Sequence, residues 1–149
     1  MATTHSIGET IQLSLAPVFV LVAIGSLLNV ITQRLGRIID RARHLEAEIL
    51  SDPDLPVAAM ARDELAALSI RMRFSNWAVS FCSASALLVA LLVAILFLID
   101  LAGADASRAI AILFILAMSG VIIGLCAFLM EIYVATRTIR VRSELLKKR

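Results

Sequence analysis

Residues 13–50 read LSLAPVFVLVAIGSLLNVITQRLGRIIDRARHLEAEIL. The first half, Leu13–Ile31, is apolar and about as long as a bilayer-spanning helix, which needs about 20 residues to cross roughly 30 Å of hydrocarbon. The second half is charged, yet no helix stop signal separates the two. Leu28, Ile31, Leu35, Ile38, Ala42, Leu45 and Ile49 recur at steps of three and four, a heptad-like seam. Asp40, Arg41, Arg43, Glu46 and Glu48 lie off that seam. The stretch predicts one rod, continuous from about Val18 to Leu50, that leaves the membrane and continues into water. The rest of the chain then returns to the bilayer and packs against it. Gly36 is the expected bend, because glycine inside a helix costs about 1 kcal/mol relative to alanine.

Composition agrees with a membrane setting. The 149 residues are 60% hydrophobic, against about 45–50% for a soluble domain, and the mean hydropathy is +0.93. The excess is concentrated in Leu13–Ile31, Trp77–Ile99 and Ala109–Met130. Three such blocks leave too few residues to cover them in a soluble core. The fold class expected is all-α: an integral membrane protein, residues 1–149 as one membrane domain with three transmembrane helices. Residues 1–12 contain no Lys or Arg, so the basic region of a signal peptide is missing. Leu13–Ile31 therefore reads as a permanent span.

Charge gives the orientation. Seven arginines lie between spans one and two (Arg34, Arg37, Arg41, Arg43, Arg62, Arg71, Arg73). Six basic residues (Arg137, Arg140, Arg142, Lys147, Lys148, Arg149) follow span three, and Arg108 alone lies between spans two and three. By the positive-inside rule the N-terminus is outside, the C-terminus is cytoplasmic and Asp100–Arg108 is an outer loop. The location expected is a bacterial inner membrane.

Ser6-Ile-Gly-Glu9 matches a capping box, so a helix can start at Ser6. Pro17 then falls inside it, where a kink or break is expected. Residues 7–16 read equally as an interfacial helix or as the first turns of span one. Ser51-Asp-Pro-Asp-Leu-Pro56 is a turn. A second helix is expected from Val57 to about Phe74, with Ala61, Leu65, Leu68 and Met72 continuing the seam. Two segments of similar length on a short connection predict a cytoplasmic antiparallel α-hairpin over residues 32–74. Its seven basic and seven acidic residues suit helix pairing and argue against nucleic acid as a partner. Span two is expected to begin at Asn76-Trp77, with the tryptophan in the interface belt. Span three should continue as a helix through Glu131 into the basic tail, residues 132–149, which fits anionic lipid.

Small residues mark helix packing. Ala78, Cys82, Ala86, Ala90 and Ala94 are four apart, and Gly120 and Gly124 form a GxxxG. Such faces let helix backbones approach closely in lipid. Glu131 ends span three, and Arg34, Arg37 and Arg71 fall at the same expected depth. A carboxylate so close to hydrocarbon needs a partner, so these four form a candidate boundary ion-pair layer. It reads either as a structural clamp or as an ion or proton site. Asn29 and Thr32 are candidates for pore lining or polar packing. Cys82 and Cys126, with His5 and His44 isolated, give no metal or disulfide spacing. No catalytic constellation and no cofactor motif is present, so no enzyme is expected.

The block QLSLAPVFVL, the exit LLNVITQRLGRIIDRAR and the Glu131-Ile-Tyr sequence before a basic tail resemble the bacterial "domain of unknown function 2721" family. The resemblance covers residues 9–142. Its most specific part is LNV-x-T-x-RL-x-RI-x-DR, Leu28 to Arg41. It implies the three-span layout and no mechanism. Two functions are then weighed. One is a non-enzymatic membrane protein that self-associates or docks on a membrane complex. The other is a homo-oligomeric ion channel or transporter, which the scarcity of polar residues in the spans disfavours.

Overall fold

The computed structural model describes residues 7–51, 56–102 and 107–146, with side chains placed over 12, 14–51, 60–102 and 107–136. Ser6, expected as a cap, residues 52–55 of the expected turn, residues 103–106 of the expected outer loop and the basic side chains from Arg137 onward lie outside the described residues. The fold is all helical: α1 (Ile7–Ser51), α2 (Pro56–Ala102) and α3 (Ser107–Leu146). Each contains a stretch long and apolar enough to cross a membrane.

α1 is one helix of 45 residues, about 68 Å long. It runs through Pro17 without a break, and residues 7–16 are part of the same helix as span one. Ser51 closes it, its hydroxyl donating to the Glu48 carbonyl at 2.8 Å. α2 corrects the expectation of a separate helix ending near Phe74, because one helix of 47 residues runs on through the second apolar block. The reason is visible in the sequence: from Val57 to Ala102 there is no glycine or proline. Pro56 occupies the first helical position, where a missing N–H leaves nothing unsatisfied. Asp100–Ala102 and Ser107–Arg108, expected within the loop Asp100–Arg108, are helical. α3 carries the third span onward without interruption past Glu131 to Leu146.

Two compact units are formed, each drawing on all three helices. The first comprises Met1–Asn29 and Ser80–Gly124. Ile24, Cys82, Val89, Leu92 and Ala117 are buried in it, with Ser14 and Ser85. Gly120 lies so close to α2 that a Cβ there would collide with the Ser85 hydroxyl and lie 3.6 Å from the Phe81 carbonyl oxygen. Ser85 in turn donates to that carbonyl at 2.8 Å, which satisfies the hydroxyl without a second helix.

The second unit comprises Val30–Val79 and Leu125–Arg149. Ile38, Ala42 and Leu45 of α1 and Ala61 and Leu68 of α2 form its apolar cluster, with Ile49, Leu65 and Met72 packed against it. Ile31, Ala78, Ser75 and Glu131 are also buried.

Burial has a seven-residue period along each helix. On α1 the buried set includes Pro17, Ile24, Ile31, Ile38 and Leu45; on α2, Ala61, Leu68, Ser75, Cys82 and Val89; on α3, Ala117, Gly124 and Glu131. The seam legible from Leu28 onward thus also runs through the membrane half. Away from it the spans are open: only 17%, 22% and 11% of their most apolar 18-residue stretches is buried. Phe19, Val22, Leu87, Leu98, Ile115 and Leu129 all face outward, which in water would be untenable and in hydrocarbon is not.

Candidate functional site: a buried glutamate in an arginine layer

Glu131 follows Ala117 and Gly124 at steps of seven, so α3 turns it to the buried side. Its side chain is 0% exposed. Arg71 stands three residues after the buried Leu68 and four before the buried Ser75 on α2. Arg34 stands in the same relation to Ile31 and Ile38 on α1. Neither arginine is itself on the seam; each flanks it, and its long stem carries the guanidinium inward.

The Arg71 guanidinium donates twice to one carboxylate oxygen, from Nη2 at 2.7 Å and from Nε at 3.0 Å to Oε1. Arg34 Nε lies 3.9 Å from Oε2, close enough for attraction and too far for a hydrogen bond. Its guanidinium also sits 5.6 Å from the centre of the Phe128 ring, a cation–π distance. Among the described residues Oε2 accepts no hydrogen bond, and the buried Ser75 hydroxyl has no partner. The pairing is therefore lopsided, with one oxygen doubly bonded to Arg71 and the other held only by the field of Arg34.

Arg37 is exposed and makes no ion pair with Glu131 among the described residues. It instead lines a cleft of about 300 Å³ with Arg34, Arg41 and Arg71, over a floor of Ile38 and Leu68. Glu64 completes the wall and accepts from Arg41 Nε at 2.9 Å. That bond, and the charge behind it, raises the Arg41 pKa from a range where it is already charged, so Arg41 is a cation at every working pH. The Arg41–Glu64 pair and the cleft were not apparent from spacing alone. The available signal was the step Arg34, Arg37, Arg41, which places three guanidiniums on one side of α1.

The other candidates are distributed as follows. Asn29 and Thr32 are exposed on α1. On α2 Cys82 is buried, Ala86 is half-buried, and Ala90 and Ala94 are exposed. A step of four overshoots the helical turn by about 40°, so five such residues turn through roughly 160° and leave any one face. Gly124 is buried and Gly120 half-buried. Among the described residues no group of three His, Cys, Asp or Glu could hold a metal ion.

No curated protein and no solved structure matches the chain. A family model does match, over residues 14–141, described as a protein of unknown function, DUF2721. That range takes in Glu131, its arginines and most of all three helices long and apolar enough to cross a membrane, and the chain belongs to this family of unknown function.

Proposed function

We propose that this protein is a non-enzymatic component of the bacterial inner membrane that assembles with further copies of itself through the exposed face of span one. The carrying observation is Gly25, Ser26 and Asn29, all exposed within the most apolar half of α1, with nothing within 4 Å of a Cβ built on Gly25. Leucine or phenylalanine would serve lipid contact better at such positions. Glycine and serine instead permit close backbone approach, and asparagine can hydrogen-bond to a neighbouring helix. Ala90 and Ala94, exposed on α2, offer a second small surface.

In this reading residues 32–74 form an antiparallel α-hairpin in the cytoplasm. The pairing of Arg41 with Glu64, and of both Arg34 and Arg71 with Glu131, supports the antiparallel register, since the partner number falls as the α1 number rises. The arginine count on either side supports an outside N-terminus and a cytoplasmic C-terminus. The basic tail then lies beside anionic lipid.

The test is a subunit count in nanodiscs for the unmodified chain, Gly25→Leu and Val22→Leu. Gly25→Leu should dissociate the assembly, while Val22→Leu, an apolar exchange at an exposed site, leaves it intact. A monomeric unmodified chain overturns self-assembly and leaves docking on another membrane protein. A channel or transporter is the second reading, favoured by the buried Ser75 hydroxyl and Glu131 Oε2 that lack hydrogen-bond partners. It has less support, because Arg71 occupies the glutamate within a single chain. Ion flux into liposomes that disappears in Glu131→Gln would favour it.

A further inference from the structure

Four arginines line the cleft of about 300 Å³ between α1 and α2: Arg34, Arg37, Arg41 and Arg71. The charge of Glu48 reaches Arg41; the carboxylates paired with these arginines among the described residues are Glu64 in the wall and Glu131. Each already has an arginine at hydrogen-bond distance, Arg41 for Glu64 and Arg71 for Glu131. Between these four arginines and these two glutamates, two positive charges remain in excess. Arg37 has no ion pair among the described residues, and Arg34 reaches Glu131 only at 3.9 Å. Like charges gathered along one cleft repel, and a bound anion would relieve the repulsion. Arginine donates in a flat fork that matches the oxygens of a phosphate group, and it binds such groups in pairs of parallel hydrogen bonds.

We infer that this cleft is a phosphate-group site, with Arg37 and Arg34 as its primary donors and Arg41 and Arg71 as charged walls. The apolar floor, Ile38 and Leu68, suits a phosphate that carries an organic substituent. Arg34 lies three residues past the end of the apolar block of span one. The cleft therefore opens near a depth where phospholipid headgroups lie, and a headgroup phosphate and a phosphate from solution are its two sources. The inference does not depend on self-assembly.

The experiment uses the full chain purified in neutral detergent, with the intrinsic fluorescence of Trp77 reporting thermal unfolding. One arm titrates inorganic phosphate. The other compares phosphatidylcholine micelles with mixed phosphatidylcholine and phosphatidylglycerol micelles, with lipid adducts counted by native mass spectrometry. Arg37→Gln removes an exposed donor with no ion pair among the described residues, and Arg43→Gln removes an exposed arginine outside the cleft. The inference requires that at least one probe bind, with affinity about ten-fold lower in Arg37→Gln and within two-fold of normal in Arg43→Gln. Phosphate binding identifies a solution ligand as sufficient; binding of phosphatidylglycerol alone identifies the headgroup. Equal losses in the two variants would mean diffuse attraction to positive charge and would overturn the site, as would the failure of both probes to bind.

Discussion

Arg71–Glu131 and Arg41–Glu64 have the same chemistry in different surroundings. Glu131 is 0% exposed with Arg71 at 23%, whereas Glu64 and Arg41 are 29% and 46% exposed. A buried ion pair loses about 3–5 kcal/mol when one partner is removed, because the other charge is stranded; an exposed pair loses about 0–1 kcal/mol. Glu131→Gln should therefore destabilise the chain toward the lower end of the buried range, since Arg71 keeps some contact with its surroundings. Glu64→Gln should lie within the exposed range. Thermal unfolding of both variants in detergent measures the difference, and equal losses would remove burial as the deciding factor. Replacing Arg71 and Glu131 together by methionine should recover most of the Glu131→Gln loss. A carboxylate ending an apolar span is conspicuous in a sequence, so Glu131 was legible. The choice among Arg34, Arg37 and Arg71 was not, because it depends on helix rotation and on reach of a few ångströms, which spacing does not record.

At the level of the helix, glycines distinguish open surface from contact. Gly36 has nothing within 4 Å of a built Cβ, while Gly120 meets Ser85 and Phe81. Gly36→Ala should stabilise α1 by about 1 kcal/mol through helix propensity. Gly120→Ala should instead destabilise by about 1–3 kcal/mol from overpacking, because the Ser85 hydroxyl is held by its bond to the Phe81 carbonyl. Unfolding midpoints that move in the same direction for both would contradict the close approach. The length of α1 was legible because nothing in its sequence stops a helix. The length of α2 was obscured by reading the chemical boundary at Asn76-Trp77 as a structural one. A change from charged to apolar residues marks a change of solvent, and hydrogen bonding along the backbone is indifferent to it. The four-step alanine run misled for another reason, since only alternating steps of three and four hold one face.

At the scale of the whole chain, the sidedness read from its arginines has a direct test. Ser51, exposed at the end of α1, and Ser107, exposed at the start of α3, can each be changed to cysteine in a chain lacking Cys82 and Cys126. A membrane-impermeant thiol reagent should label the two from opposite faces of the membrane; labelling from one face would refute the orientation. The three spans were plain in hydropathy, because transfer into lipid depends on composition over about 20 residues. The proposed assembly was less legible, since it would turn on a few residues such as Gly25 whose exposure appears only once the helix is rotated into place. The seven-residue recurrence of burial on all three helices also limits how the length of this chain can change. Seven residues added within α3 before Glu131 would turn it by only about 20° relative to its face. A single added residue would turn it by about 100°, carrying the carboxylate away from Arg71 and toward hydrocarbon. Insertions and deletions inherited within these helices should therefore come in sevens, and those of other lengths should fall between helices.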